Sequence, residues 1–168
     1  SVPEIDNLGG TTFQYKNVYP YDVGSAVGPL LNETYTSKTY SAPIPIQDRS
    51  SEADKLAVKN TKQSELYSPP TPVRKATIIK ARIFVNGRGS EIITKTFFVW
   101  AGGNPYAIPV ISLQIQENYL FDYNDGTYTS GVDFDTWRAE NPTNNQPYRP
   151  NWNNYWRSGK DWEYPVNI

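Results

Sequence analysis

The stretch ATIIKARIFVNGRGSEIITKTFFVW, residues 76–100, is the part of this sequence that most clearly specifies a fold. In its first arm, the apolar residues Ile79, Ala81, Ile83 and Val85 fall on one side of a pleated strand. In the second arm, if Lys95 points outward, the alternate residues from Ile92 to Trp100 fall on the opposite side. Asn86–Gly89 separates the arms with two glycines, which permit the positive φ angles of tight hairpin turns. The pattern predicts a β-hairpin that forms a buried pair of strands and has no chemistry of its own.

The composition of the 168-residue chain excludes several classes of function. The 16 Lys and Arg residues balance 17 Asp and Glu residues, so no chain-wide electrostatic field attracts nucleic acid or an anionic membrane surface. Histidine and cysteine are absent, which excludes Ser-His-Asp triads, cysteine nucleophiles, disulfides and the usual zinc sites. No apolar run approaches the roughly 20 residues that span a bilayer, so we expect no membrane span.

Turn-rich boundaries divide the chain into four predicted segments. The clearest boundary contains Gly102, Gly103 and Pro105 directly after a long predicted strand. The segments are a flexible N-terminus over 1–10, a β module over 11–100, a linker over 101–107 and a further segment over 108–168. The sequence therefore predicts a mainly β fold.

Two short helices and several strands are predicted around the hairpin. Ser50–Asn60 opens with the spacing of a capping box and is expected to form at most two helical turns. Asp133–Glu140 is expected to form one or two turns, capped by Asp133 or Asp135. The further predicted strands are Thr12–Tyr21, Thr39–Ala42, Ile108–Ile115 and Trp162–Ile168.

Four segments, in this order, carry a resemblance to a known family. They are IQDRSSEADKLAVKNT at 46–61, PVRKATIIKARIFVNGRGSEIITKTFFV at 72–99, IPVISLQIQENYLFDYNDGTYTSG at 108–131 and WEYPVNI at 162–168. This succession resembles secreted bacterial proteins of the CotH family. In that family, a β-sandwich related to chitobiase C-terminal and fibronectin type III modules precedes the CotH domain, which has an atypical protein-kinase fold.

The resemblance implies an immunoglobulin/fibronectin III-like β-sandwich over 11–100, with a largely irregular C-terminal extension over 108–168 that leads into a truncated CotH kinase-like domain. The segment YDVGSAVGP at 21–29 departs from the tyrosine-threonine-aspartate-glycine-serine type segment of the family. The family's nucleotide-binding and catalytic motifs lie beyond the WEYPVNI-like strand, so no catalytic residue carries over. We therefore expect a non-catalytic, extracellular or cell-surface accessory module that positions or docks the downstream CotH kinase-like domain.

One acidic turn is a candidate calcium site. Asp122, Asn124 and Asp125 surround the bend that Gly126 permits, and Ca²⁺ prefers several oxygen ligands on such a turn. In an EF-hand loop, oxygen ligands occupy every second position and a glutamate at the far end binds through both oxygens. This segment has neither feature. An ordinary turn, in which Asp and Asn bond back to the backbone, is the alternative. Calcium is the one cofactor that the sequence suggests.

The aromatic tail is a candidate carbohydrate-binding surface. Asparagines and Arg157 flank its rings, and sugar-binding surfaces use flat rings against apolar sugar faces with amides against hydroxyls. The candidate platforms are Trp152, Tyr155, Trp156 and Trp162. The alternative is that these rings pack the tail onto the sandwich or onto a further domain. A carbohydrate-binding module with glycan partners is thus the second hypothesis for the function.

Overall fold

The computed structural model describes residues 8–16, 18–19, 23, 28–52, 73–144 and 152–168. Within these ranges, strands and irregular segments predominate over two α-helices. The strands are β1 (Thr11–Tyr15), β2 (Leu31–Tyr35), β3 (Thr77–Ala81), β4 (Phe84–Val85), β5 (Arg88–Gly89) and β6 (Ile93–Phe97); the helices are α1 (Glu117–Phe121) and α2 (Gly131–Glu140); and two 3₁₀ turns cover Asn154–Trp156 and Lys160–Trp162. The described strands form small antiparallel sheets, β1–β2, β3–β6 and β4–β5. This arrangement is compatible with the predicted mainly β class, and the sandwich stays a prediction.

The predicted hairpin is confirmed at its turn and along both arms. β3 pairs with β6, and β4 pairs with β5 close to the tip. The turn residues Asn86 and Gly87 have φ angles of 50° and 76°. Two consecutive positive φ angles are what a two-residue type I′ turn requires, and this turn matches the twist of the strands.

A β-bulge shifts the register of this hairpin by one residue. The Ser90 N–H donates to the Ile83 carbonyl over 2.8 Å, and the next pair along the ladder is Ala81 with Ile93. Between these pairs the first arm has one residue and the second arm has two, which defines a bulge. The shift places Lys95 opposite Ile79, so a charged side chain shares the face of an apolar one.

The hairpin is less buried than its sequence predicts. Large apolar side chains are exposed on both arms, namely Ile78, Ile83, Phe84, Val85, Ile93, Phe97 and Phe98. The prediction of a buried strand pair was wrong for these side chains. Phe84 and Val85 are adjacent and so lie on opposite faces, and both are exposed, so neither face of the hairpin is buried near its tip.

The N-terminal hairpin packs against the C-terminal part of the chain. β1 pairs with β2 in a register that runs from Thr11 with Tyr35 to Tyr15 with Leu31. The Tyr123 N–H donates to the Gln14 carbonyl over 2.7 Å, and the Tyr35 hydroxyl donates to Asn118 Oδ1 over 3.3 Å. The hairpin β1–β2 is therefore held by residues far along the sequence.

Buried side chains of the C-terminal region lie on α2 and also at Phe121, Thr129, Asn153 and Asn154. This helix confirms the predicted helix over Asp133–Glu140, but it begins at Gly131 with Ser130 as its N-cap residue, so the predicted caps at Asp133 and Asp135 were wrong. Both aspartates instead pair with cations from elsewhere in the chain. The buried side chains of the helix are Phe134 and Trp137, which face the core.

Several predicted elements differ from the structure. Residues 39–42 form no strand, and the partner of β1 is instead β2. The predicted strands Ile108–Ile115 and Trp162–Ile168 are reduced to a single antiparallel bridge between Gln114 and Asn167. Of the predicted helix Ser50–Asn60, residues 53–60 lie outside the described residues. In the part of the chain that the structure describes, no helix is long and apolar enough to cross a membrane.

Candidate functional site

The acidic turn that follows α1 is closed by its own side chain. Asp122 Oδ1 accepts the backbone N–H groups of Asn124 and Asp125 over 2.8 and 3.0 Å. The Gly126 N–H donates to the Asp122 carbonyl over 2.8 Å. These bonds are those of an aspartate turn, in which the carboxylate satisfies the backbone. One oxygen of the candidate calcium ligand Asp122 is thus already engaged.

Among the described residues, no three or more acidic, histidine or cysteine side chains are grouped so that they could hold a metal ion. The candidate set Asp122, Asn124 and Asp125 is of a different kind, because it contains only two carboxylates. Calcium binding at this turn stays a prediction.

Asn154 joins this turn to the start of α2. Its side chain is fully buried. Its Nδ2 donates to the carbonyls of Tyr123 and Asn124, each over 3.0 Å, and its Oδ1 accepts the Asp133 N–H over 3.1 Å. One carboxamide thereby satisfies backbone groups of the turn and of the first helical turn, where N–H groups have no intrahelical acceptor.

Arg157 reinforces the same junction through charge-assisted hydrogen bonds. Its Nε and Nη2 donate to the two carboxylate oxygens of Asp133 over 2.7 and 2.6 Å. Its Nη1 donates to the Asn124 carbonyl over 2.6 Å. The bonds to Asp133 are the main cause that raises the pKa of the Arg157 guanidinium above its ordinary value. A two-bond pair of this kind fixes geometry as well as charge.

The four predicted sugar platforms have different surroundings. Trp152 stacks on the buried Trp137, with ring centroids 3.9 Å apart and planes at 13°. The Arg157 guanidinium lies 4.4 Å from the centroid of the Trp162 ring. Each of these two rings thus has one face that contacts the protein.

Tyr155 and Trp156 are the candidate platforms that remain accessible. They are neighbours in the 3₁₀ turn Asn154–Trp156, and both side chains are exposed, Trp156 by 59%. Burial of part of the Tyr155 ring raises the pKa of its hydroxyl. An indole exposed to this extent can present a flat apolar face to a ligand.

A second cluster, which sequence reasoning missed, joins β1 to α2. The buried Lys16 forms an ion pair with Asp135, and the Tyr123 hydroxyl donates to the same carboxylate over 2.8 Å. Lys16 Nζ lies 5.3 Å from the Tyr123 ring centroid and 5.8 Å from that of Tyr19. Burial raises the pKa of Tyr19 to about 12. The pKa of the Tyr123 hydroxyl is also raised, mainly by burial and secondly by its hydrogen bond to Asp135.

Two carboxylates near the start of α2 therefore bind cations from distant parts of the sequence. Asp133 binds Arg157, and Asp135 binds Lys16. Such an arrangement joins segments and leaves neither carboxylate presented as a free acid or base. Nothing in the sequence signals these pairs, because each partner lies far from its carboxylate along the chain.

No protein-family model matches the chain, and neither the curated proteins nor the solved structures contain a significant match to it. The resemblance to the CotH family accordingly stays a prediction that the residues alone support.

Proposed function

We propose that this chain is a non-catalytic accessory module of a secreted or cell-surface bacterial protein, and that it positions or docks a CotH kinase-like domain. In this proposal residues 11–100 belong to an immunoglobulin/fibronectin III-like sandwich. The supporting observation is the amount of apolar surface that the described residues leave uncovered on the hairpin and on the segment 108–113. Exposed apolar patches on soluble proteins commonly mark surfaces that contact another domain or protein.

The pairing of the carboxylates also supports a structural role. The two aspartates at the start of α2 are bound by Lys16 and Arg157, and the Asp122 carboxylate closes a turn. These groups stabilise the junction between segments, as expected of a module that presents a fixed surface.

The direct test begins with the reading frame of the parent gene beyond Ile168. If a kinase-like domain is encoded there, it is produced separately and its binding to this chain is measured by calorimetry. Saturable binding is expected, because the kinase-like domain would cover the exposed apolar side chains of the hairpin and of the segment 108–113. A reading frame that stops at Ile168, or no heat of binding at about 100 μM of each protein, contradicts the proposal.

A second test concerns nucleotide. Because the chain is proposed to lack the catalytic part of the kinase-like domain, the purified chain is expected neither to bind ATP nor to transfer its phosphate. Equilibrium dialysis with labelled ATP measures this, and saturable binding of ATP by this chain alone would contradict a non-catalytic role.

The exposed indole of Trp156 favours one other function, that of a carbohydrate-binding module. Tyr155 lies beside it, and both rings are open to solvent. Affinity electrophoresis in gels that contain soluble polysaccharides tests this function: Trp156→Ala is expected to abolish retardation, since stacking supplies most of the contact. Tyr106→Ala, at an exposed tyrosine of the linker, is the matched control. Equal retardation of both variants and the parent chain would exclude Trp156 as a platform.

A further inference from the structure

The charges of the chain are balanced overall but unevenly placed. Residues 73–116 contain a single acidic residue, Glu91. The same stretch contains six basic residues, all on the hairpin or directly before it: Arg74, Lys75, Lys80, Arg82, Arg88 and Lys95. The hairpin is therefore a cationic region in a chain whose net charge is −1, and a region of this kind attracts anionic surfaces.

The end of the same hairpin carries a continuous run of exposed apolar side chains. Ile83, Phe84 and Val85 directly precede the Asn86-Gly87 turn, and they are exposed by 71%, 50% and 63%. Among the described residues, β4 and β5 pair only with each other. Residues 82–88, which we call the hairpin tip, thus project as a two-stranded ribbon.

Both faces of the hairpin tip have the same composition, an apolar side chain beside a guanidinium. Val85 lies opposite Arg88 in the ladder, so these two side chains share a face. Phe84 lies on the other face, because neighbouring residues of a strand point to opposite sides. There the Arg82 guanidinium lies 4.6 Å from the centroid of the Phe84 ring. A partner that matches both faces has to surround the tip.

A lipid surface meets this requirement better than a folded protein does. Lipid headgroups surround an inserted tip on all sides, whereas a protein surface covers one face of it. Apolar side chains at the boundary between headgroups and acyl chains, with cations at the headgroups, are the arrangement that holds proteins at a membrane interface. The polar Asn86-Gly87 turn limits the depth to this boundary, because the hydrocarbon core offers no partner to its backbone groups.

A second copy of this chain matches the tip less well. The two arginines of the tip have the same charge, so two tips that met would bring cations against cations. Within the described part of the chain, Arg88 takes part in no ion pair that would neutralise it.

We propose that the hairpin tip binds an anionic phospholipid surface. Its three apolar side chains enter the boundary between headgroups and acyl chains, and its two arginines contact the headgroup phosphates. The inference goes beyond the proposed docking function and does not depend on it. Ile93, Phe97 and the segment 108–113 lie outside the tip and are left to a docked domain.

Cosedimentation of the full chain with lipid vesicles measures this binding. The probe is vesicles of phosphatidylglycerol and phosphatidylcholine in equal parts, and vesicles of phosphatidylcholine alone are the reference. The chain is expected to bind the anionic vesicles at least about tenfold more tightly than the neutral ones, because each cation near an anionic surface adds to the attraction. Added NaCl is expected to weaken the binding, since salt screens these charges.

Two substitutions at exposed positions separate the apolar contribution from that of charge. Phe84→Ala is expected to weaken vesicle binding at least about tenfold, and Ile111→Ala, at a side chain exposed by 73% outside the hairpin, is its control. Arg88→Gln is expected to weaken binding about fivefold, since one cation is lost from the surface. Lys38→Gln, at an exposed residue outside the hairpin, is the control for charge. Both controls are expected to stay within about twofold of the parent chain.

The absence of binding to anionic vesicles would overturn the inference, and so would equal binding to neutral ones. Loss of binding in Arg88→Gln without loss in Phe84→Ala would show adsorption by charge alone and would exclude insertion of the tip. Soluble polyglutamate tests the competing partner: binding that depends on Phe84, with none to vesicles, would assign the tip to an acidic protein. Sedimentation of the chain without vesicles would show association between copies instead. The measurements contain no partner domain, so each of these failures leaves the docking proposal untouched.

Discussion

The carboxamide of Asn154 occupies the space next to Gly131 so closely that a Cβ atom on Gly131 would lie 2.1 Å from Asn154 Nδ2. Gly131 also has a φ of +61°, in the left-handed region. The first residue of α2 must therefore be glycine for two independent reasons, its backbone conformation and its contact with a fully buried side chain. The junction of turn, helix and tail depends on this contact.

Gly131→Ala is predicted to lower the free energy of unfolding by about 2–4 kcal/mol, since a left-handed alanine and an overpacked contact each cost about 1–2 kcal/mol. Urea denaturation followed by tryptophan fluorescence measures the loss. Gly87→Ala is the matched control, because Gly87 has a φ of +76° with no atom within 4 Å of its Cβ position. The control is expected to lose only the conformational part, about 1 kcal/mol. Equal losses in the two variants would show that Asn154 does not restrict Gly131.

Arg157→Ala is predicted to destabilise the chain by about 1–2 kcal/mol, because it removes a two-bond pair with Asp133 and a bond to the Asn124 carbonyl. Arg49→Ala is the control, since Arg49 also binds a carboxylate, that of Glu52, but both of these side chains are exposed. The control is expected to cost at most about 0.5 kcal/mol. Thermal unfolding of both variants gives the comparison, and a larger loss for Arg49→Ala would contradict the importance of the junction.

The alkaline stability of the chain is predicted to depend on Tyr19. Burial raises the pKa of Tyr19 to about 12 in the folded state. Above about pH 10 the tyrosine is therefore deprotonated in the unfolded chain while it is still protonated in the folded chain. The free energy of unfolding consequently falls as the pH rises. The contribution of Tyr19 to this fall is about 1.4 kcal/mol at about pH 11. Tyr19→Phe removes the titrating group and is expected to flatten the decrease between about pH 9 and about pH 11, as measured by urea unfolding.

The alkaline experiment requires a control for the loss of a phenol. Tyr40→Phe serves this purpose, because Tyr40 is an exposed residue outside the core. If the slope of stability against pH is the same in Tyr19→Phe and in the parent chain, burial of the Tyr19 hydroxyl does not govern it.

The sequence predicted the elements whose signals are local. The Asn86-Gly87 turn requires two positive φ angles, and that chemistry is readable from two residues. The helix over 131–140 was likewise found, although its start was misplaced. The buried Asn154, 23 residues beyond Gly131, accepts the Asp133 N–H in the first turn of the helix. No local sequence pattern indicates that contact.

Register and burial could not be predicted from alternation. The second arm of the hairpin has one extra residue between Ser90 and Ile93, which changes its pairing with the first arm, and the alternation within each arm does not reveal this change. The candidate platforms show a related difficulty. Trp152 and Trp156 are equivalent in the sequence pattern, yet one stacks on Trp137 and the other faces solvent, because the position of α2 decides which ring is covered.

The ion pair of Lys16 with Asp135 is predicted to hold the N-terminal hairpin onto α2. Lys16→Met keeps the apolar stem but leaves the Asp135 carboxylate without its cation, and Oδ1 of this carboxylate is already buried without a hydrogen-bond partner among the described residues. Breaking one side of a buried pair costs about 3–5 kcal/mol. Lys95→Met, at an exposed position of β6, is the control and is expected to stay within about 0.5 kcal/mol of the parent chain.

The double variant Lys16→Met with Asp135→Asn separates the charge from the packing. Asparagine still accepts the Tyr123 hydroxyl, and no charge remains buried, so the double variant is expected to be more stable than Lys16→Met alone. Denaturant unfolding of the four members of the cycle gives the coupling energy. If the second substitution only adds to the loss, the pair contributes no attraction, and the attachment of the hairpin must be ascribed to other contacts, such as the Tyr123–Gln14 backbone bond and the packing of Phe134 against Tyr19.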